Sequence, residues 1–322
     1  MPIVEAVTFL IWAQTLGGAL PPPLPLFPPT NWWNTDISTA PVDLNSPSFI
    51  NYIGATTKLH PDFGGDSGDS SSPIYGFPYI IVSGSQPRVP VVFDFADESD
   101  PGPYPIPEEA KTQQKWIEGG LAGDDLNADG DRHMLIVDRD NRILYELYAL
   151  HWTGSRWEGG SGAIFPLDSN LRRPDGWTSA DAAGLAILPG LVRYDEASDT
   201  EPIRHAFRFT VKRTNGYVFP ASHDAGSTQG ALPMGARLRL KASKDLSSYS
   251  DAGRRIFQAM KTYGLIVADN GTDMYISGTY DTRWNNDVLN PEFGSLTASD
   301  FEVIQLGWQP PAARGRTRAV HH

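Results

Sequence analysis

The sequence RHMLIVDRDNRILYELY occupies residues 132 to 148 and contains two apolar runs separated by a short polar stretch. The runs are rich in aliphatic, β-branched and aromatic residues, a composition typical of β-strands. A turn at Asp140-Asn141 joins them, so the stretch predicts an antiparallel hairpin. This hairpin indicates that the fold is built mainly from strands.

The length of the turn decides which side chains of the hairpin share a face. A two-residue turn pairs position 138 with position 143 and places His133, Glu146 and Tyr148 on the same face. A three-residue loop moves the register by one position, and His133 then shares a face with Tyr145 and Leu147. The sequence leaves both registers open.

Short apolar runs separated by Gly, Pro, Asp and Ser continue on both sides of the hairpin. They predict an all-β fold, mainly an antiparallel β-sandwich or jelly-roll-like arrangement. The further predicted strands are Tyr79–Val82, Val89–Phe95, Ala163–Leu167, His205–Val211, Ala236–Lys241, Leu265–Ala268, Met274–Ser277 and Phe301–Leu306. One amphipathic helix is predicted near residues 250–263, packed on a sheet.

The chain divides into three parts by composition. Within residues 1–40, the apolar run at 7–13 is interpreted as a signal remnant or a packed terminal helix. The proline-rich stretch at 18–30 is interpreted as an extended arm or linker, because proline fixes φ and lacks the backbone donor. Residues 41–308 form a single β-rich domain that begins with a short helix at 46–53. Residues 309–322 are a tail whose last two histidines resemble the start of an expression tag.

Composition excludes several classes of protein. The net charge is −12 and the sequence pI is about 5.0, so the protein repels polyanions and no nucleic acid partner is expected. There is no cysteine, which rules out thiol chemistry. No phosphate-binding glycine motif occurs, so no nucleotide or organic cofactor is expected. The apolar run at 7–13 is too short to cross a membrane.

A loop with the spacing of a calcium site precedes the hairpin. Asp125, Asn127, Asp129 and Asp131 place oxygen atoms at every second position, with glycine at the sixth, as in the first half of an EF-hand. The twelfth position is Ile136 instead of a bidentate glutamate. The sequence therefore predicts a structural calcium ion completed by remote oxygens, with an ion-free acidic turn as the alternative.

Glu146 is the first candidate catalytic residue, because a carboxyl group between apolar neighbours either pairs or acquires the raised pKa that a general acid needs. Glycoside hydrolases use two carboxyl groups, and Asp97 or Glu98 is expected to be the second. Together with the aromatic content, 9 Trp, 12 Tyr and 14 Phe, this predicts a glycoside hydrolase that cleaves a polysaccharide.

Two alternatives remain. In a polysaccharide lyase, His133 and Tyr148 would move the proton while Arg208 or Arg237 neutralises a uronate. His205, Arg208 and His223 are in either case candidate substrate-binding residues. In a non-catalytic carbohydrate-binding module, tryptophans would form a stacking platform. The candidates for this platform are Trp32, Trp33, Trp152 and Trp157.

The run GWTSADAAGLAILPGLVRYDE at residues 176–196 resembles a signature found in a group of uncharacterised secreted bacterial and fungal proteins. The resemblance extends from about residue 60 to about residue 302. It implies an extracellular protein with one continuous domain, and it implies no activity or catalytic residue.

Overall fold

The structure, a computed structural model, describes residues 15–64 and 74–311. The apolar run at 7–13 and the tag-like residues 321–322 lie outside the described residues. The strands are β1 (Thr15–Leu16), β2 (His60–Asp62), β3 (Tyr79–Val82), β4 (Val91–Phe93), β5 (Met134–Asp138), β6 (Ile143–Tyr148), β7 (His151–Trp152), β8 (Trp157–Gly159), β9 (Ser161–Pro166), β10 (Phe207–Val211), β11 (Arg237–Leu240), β12 (Leu265–Asn270), β13 (Tyr275–Ser277) and β14 (Phe301–Val303). The α-helices are α1 (Ser46–Ile53), α2 (Tyr194–Ala197), α3 (Asp251–Thr262) and α4 (Asn286–Phe293).

The hairpin of β5 and β6 has the register that the two-residue turn predicts. Asp138 pairs with Ile143 and Leu135 pairs with Glu146. One oxygen of the Asp138 carboxylate accepts hydrogen bonds from the backbone N–H groups of residues 140 and 141, at 3.2 and 3.0 Å, which holds the turn. His133 and Tyr148 consequently face each other, with 5.4 Å between their ring centroids.

The strands form three sheets of mixed direction. The first sheet has the order β1-β3-β5-β6-β9, the second β14-β11-β12-β10-β13-β2, and the third β4-β8-β7. The pairs β3/β5, β4/β8, β10/β12 and β2/β13 are parallel. The β-rich fold is confirmed, whereas a sandwich or jelly roll is not. Apolar runs record only which faces are buried, so they do not reveal strand direction.

The first sheet is buried on both faces. Leu135 and Val137 belong to the main hydrophobic core, which the first and second sheets share. Ile136 and Tyr145 belong to a separate core beneath the third sheet. This double burial explains why the hairpin strands are almost continuously apolar. Glu146, which alternates with Tyr145, therefore points toward the main core.

Helix α3 is the amphipathic helix that the sequence predicts. Its first turn is capped by Ser250, whose hydroxyl oxygen accepts the N–H of Gly253 at 3.1 Å. Ile256, Phe257 and Met260 are fully buried on the face that packs against β11. Its role in the fold is structural.

The proline-rich stretch packs on the body as part of the main core. Leu20, Leu26 and Phe27 are buried there. The guanidinium of Arg142, at the start of the second hairpin strand, donates to the carbonyl oxygens of Pro22 and Leu26 at 2.8 and 3.0 Å. The described part of the predicted arm is thus held against the first sheet by these contacts.

Candidate active site

Residues 178–188, the bridging segment, connect the first and second sheets. The hydroxyl of Ser161 in β9 donates to the carbonyl oxygen of Ser179 at 2.6 Å. On the other side, the N–H of Ala183 donates to the carbonyl oxygen of Ala268 in β12 at 2.9 Å. The segment lies within residues 176–196, and its backbone forms one wall of a cleft.

The buried carboxylate of Glu146 holds this segment in place through hydrogen bonds to its backbone. Its side chain is fully buried, and its two oxygens accept the N–H groups of Ile187 and Leu188 at distances between 2.8 and 3.0 Å. Burial raises the pKa of Glu146 to about 7, against the effect of these backbone donors. Because no surface of this carboxyl meets solvent, it has no access to a polysaccharide. The structure therefore makes Glu146 a structural group instead of the expected catalytic acid.

His133 also supports the bridging segment. Its Nδ1 lies 2.5 Å from a carboxylate oxygen of Glu118, and its Nε2 lies 2.8 Å from the carbonyl oxygen of Ala180. Both partners are acceptors, so the ring satisfies them by carrying two protons. Burial disfavours this charge, but Glu118 more than compensates, and the pKa of His133 is raised to about 9. His133 is not free to act as a base, which corrects its predicted role.

A buried ion pair joins the segment to the second sheet. The Arg208 guanidinium donates to both carboxylate oxygens of Asp181, at 2.8 and 2.9 Å, and to Asp269 at 3.1 Å. Burial and the neighbouring charge of Asp181 raise the pKa of Asp269 to about 6, although Arg208 opposes the shift. Arg208 was expected to bind substrate, but its guanidinium is occupied by these two carboxylates and by Ser277.

A cleft of about 420 Å³ opens along the bridging segment. Its titratable lining residues are Glu98, Asp131, Tyr148, Asp181, His223 and Asp269. The aromatic ring of Phe95, which is 51% exposed, lies at the same cleft. The structure thus brings together four residues that the sequence nominated separately, namely Glu98, Tyr148, His223 and Asp131.

Glu98 and His223 face each other in this cleft. The Nδ1 of His223 donates to the carbonyl oxygen of Ala182 at 2.8 Å, since a carbonyl only accepts. This contact directs Nε2 toward Glu98, 3.7 Å from a carboxylate oxygen. The same oxygen of Glu98 accepts the N–H of Thr178 at 3.2 Å. Both side chains stay partly open to solvent, with exposed fractions of 28% and 29%.

Several nominated residues lie elsewhere. Asp97 is exposed and is not part of the cleft lining. Trp157 is buried, and the ring of Trp152 packs against it at an angle of 59° with 5.5 Å between ring centroids, in the core of the third sheet. The Lys111 ammonium covers the ring of Trp152 at 3.9 Å. Because Trp32 and Trp33 are buried as well, the predicted tryptophan platform does not exist in this form.

His205 and Arg237 are also outside the cleft. His205 is buried, and its Nε2 contacts the carboxylate of Glu196 at 2.9 Å beside a separate pocket. Arg237 is buried in β11 and donates to the carbonyl oxygen of Tyr263 at 2.8 Å. Burial lowers the pKa of Arg237 to about 9. Neither residue lines the cleft that contains Glu98 and His223.

The acidic loop at 125–131 uses one carboxylate to stabilise itself. The Asp125 side chain accepts the N–H of Asn127 at 3.0 Å, while Asp129 and Asp131 are exposed. Among residues 15–64 and 74–311, no group of three or more His, Cys, Asp or Glu side chains is arranged to hold a metal ion. Calcium binding by this loop stays a prediction of the sequence.

Sequence reasoning missed Asp269 as a candidate. It follows the apolar residues 265–268 near the end of β12, and a carboxylate that ends a buried strand at an opening was the signal available. Asp181 pairs with Arg208, which is 27 positions away in sequence, and spacing along the chain does not reveal such a pair.

Comparison with protein-family models, with curated proteins and with solved structures finds no match. The resemblance of residues 176–196 to the secreted group therefore stays a prediction. In the described part of the chain, no helix has the length and apolar character needed to cross a membrane.

Proposed function

We propose that the protein is a secreted glycoside hydrolase and that the cleft along the bridging segment is its active site. The observation that carries the proposal is that two carboxyl groups in different surroundings, Glu98 and Asp269, line one cleft. Hydrolysis of a glycosidic bond needs one protonated and one ionised carboxyl group. Such a pair requires surroundings that keep one carboxyl group protonated and the other ionised.

Asp269 is suited to the role of general acid. Its side chain is 22% exposed, so it is mostly desolvated and still reaches the cleft. Burial raises its pKa to about 6, which keeps a proton on the carboxyl group in mildly acidic solution. A proton donor to the leaving oxygen is effective when its pKa lies close to the working pH.

Glu98 is suited to the role of general base or nucleophile. The N–H of Thr178 donates to its carboxylate, and the Nε2 of His223 lies 3.7 Å away. The hydrogen bond from Thr178 holds this carboxylate at the cleft, where Glu98 and His223 both remain partly open to solvent. The exposed ring of Phe95 at the same cleft offers a flat apolar surface for a sugar ring.

The lyase alternative shares part of this site. A neutral His223 has its Nε2 lone pair directed at the cleft, and Tyr148 is nearby, so a base and an acid are present. Elimination from a uronate also needs a cation to neutralise the carboxylate. Among the described residues that line the cleft there is no Arg or Lys. Hydrolysis is therefore the better supported reaction.

The test is the release of reducing ends from a panel of neutral, cationic and anionic polysaccharides by the full chain. We expect Glu98→Gln and Asp269→Asn each to lower kcat by about 100-fold or more, as loss of an acid or base does. Asp97→Asn is the matched control, because it removes a carboxylate next to Glu98 that lies outside the cleft.

Thermal unfolding of each variant separates loss of chemistry from loss of fold. Retention of activity by both cleft variants would overturn the assignment. Release of an unsaturated product that absorbs in the ultraviolet would favour the lyase. Tight binding of glycans with no product from any of them would favour a binding module.

A further inference from the structure

We infer that the cleft accepts sugar units that carry a positive charge, namely glycans with free primary amines. This inference rests on the proposed function, because it uses the same cleft. It concerns which class of polysaccharide the site recognises, and it derives from the charges that surround the cleft.

The lining is strongly acidic. Glu98, Asp131, Asp181 and Asp269 all contribute to it, and His223 is the only basic side chain among the described residues that line the cleft. The Asp181 carboxylate is fully buried against Arg208, whereas Glu98, Asp131 and Asp269 are open to the cleft, where His223 supplies the single imidazole ring. The uncompensated charge of the lining is therefore negative.

The cations behind the lining do not reverse this sign. Arg208 is shared between Asp181 and Asp269, so one positive charge meets two carboxyl groups. Arg173, which lies behind Glu98, is paired with Asp100 at 2.6 Å and donates to the Glu98 carbonyl oxygen. Arg208 and Arg173 are thus each matched by a carboxylate, and no ion pair among the described residues includes Asp131.

A ligand is attracted when its charge complements this lining. A concave surface with low-dielectric walls concentrates the field of its charged groups, so the attraction is stronger than on an open surface. Protonated amines donate short, charge-assisted hydrogen bonds to carboxylates. Uronate polymers are negatively charged and meet charge of the same sign both in the cleft and in the whole chain, whose net charge is −12.

The experiment compares oligomers of equal length built from glucosamine, from N-acetylglucosamine and from galacturonic acid. Binding is measured by titration calorimetry and cleavage by product analysis, in a buffer with EGTA so that the 125–131 loop holds no calcium. We expect the amine-bearing oligomer to bind at least about five-fold more tightly than the acetylated one, the equivalent of about 1 kcal/mol. The galacturonate oligomer should not bind measurably.

Two further results are expected. The preference for the amine should shrink when the salt concentration is raised to about 0.5 M, because salt screens charges at the cleft mouth. Asp131→Asn should reduce it by about three-fold or more, since one opposing charge is lost. Asp97→Asn, which removes an exposed carboxylate outside the cleft, should leave it unchanged.

Equal binding of the amine-bearing and acetylated oligomers overturns the inference, and so does binding of the galacturonate oligomer. If neutral glycans are cleaved without any preference for amines, the proposed hydrolase survives and the inference fails. If amine-bearing glycans bind selectively but no glycan is cleaved, the inference survives and the hydrolase fails.

Discussion

The buried pair of His133 and Glu118 should give the protein a pH-dependent stability of known sign. His133 is 1% exposed, and its two ring nitrogens contact Glu118 and the Ala180 carbonyl oxygen. The charged groups that act on the ring are Glu118, Arg208 and Asp131. Of these, the carboxylate in direct contact dominates, so the folded protein holds the His133 proton more tightly than the unfolded chain does.

The size of the effect follows from the pKa. A rise of the His133 pKa from 6.5 to about 9 corresponds to about 3 kcal/mol of stabilisation. Because the folded pKa is the higher one, the stabilisation is complete below about pH 6.5 and is lost as the pH rises through about 9. The Glu118 pKa is lowered, so its contribution is lost only in acid and does not enter this window.

The assay is urea unfolding of the wild type and of His133→Gln between about pH 6 and 10. This range spans the reference pKa of histidine and the raised pKa of His133. The difference in free energy of unfolding between the two proteins should decrease by about 3 kcal/mol across the window. Glu146, whose pKa burial raises to about 7, also titrates in both proteins, but the charge of His133 lowers that pKa, so its effect on the difference cancels only in part. His60→Gln is the matched control, because His60 is partly exposed and stacks on Tyr275.

Parallel stability curves for the wild type and His133→Gln would refute this reasoning. A direct titration of the His133 ring by NMR gives a second check on the wild type alone. A midpoint near 6.5 there would mean that Glu118 does not hold the proton, even if the variant fails to fold.

The remaining predictions concern the cleft, its support and the acidic loop. The proposed acid must be protonated, so kcat should fall as the pH rises through about 6, the raised pKa of Asp269, and a rate that climbs through this range would contradict its role. Glu146→Gln should lower the free energy of unfolding by about 1 to 3 kcal/mol, because an amide replaces a carboxylate that accepts the N–H groups of Ile187 and Leu188, while kcat stays near that of the wild type. Inactivity of the folded variant would restore Glu146 as a catalytic residue. The calcium prediction requires that millimolar CaCl₂ raise the Tm and that Asp129→Asn abolish the increase, whereas an identical Tm in CaCl₂ and EGTA would reject it.

Much of the local structure could be predicted because it depends on neighbouring residues. Each predicted strand overlaps an observed one, and the helix near 250–263 is present at Asp251–Thr262. The hairpin was narrowed to two registers that differ by one position. The structure selects the one that pairs Leu135 with Glu146. The sequence left the length of the turn open. The turn is held by hydrogen bonds that the Asp138 carboxylate accepts, and a pattern of apolar residues does not show such bonds.

The role of a polar residue was harder to predict, because it depends on which groups meet it across the fold. Glu146 was identified as unusual, but the donors that occupy it lie 41 and 42 positions away. His223 and Glu98 were nominated for separate reasons, and only folding places them 3.7 Å apart. A side chain that is hydrogen-bonded to a buried partner cannot act on a substrate, and spacing along the chain does not reveal such a partner.

The sequence by itself determined a β-rich chain with one amphipathic helix and a negative net charge. It also determined a set of candidate residues that includes most of the titratable residues lining the cleft. Periodicity and composition encode these features, since each depends on residues close in the chain. The tertiary structure decided that the sheets are mixed, that Glu146 and His133 support the wall, and that Glu98, His223 and Asp269 meet at the opening. Those outcomes depend on contacts between distant segments, where burial and hydrogen-bond partners set the charge and the accessibility of each group.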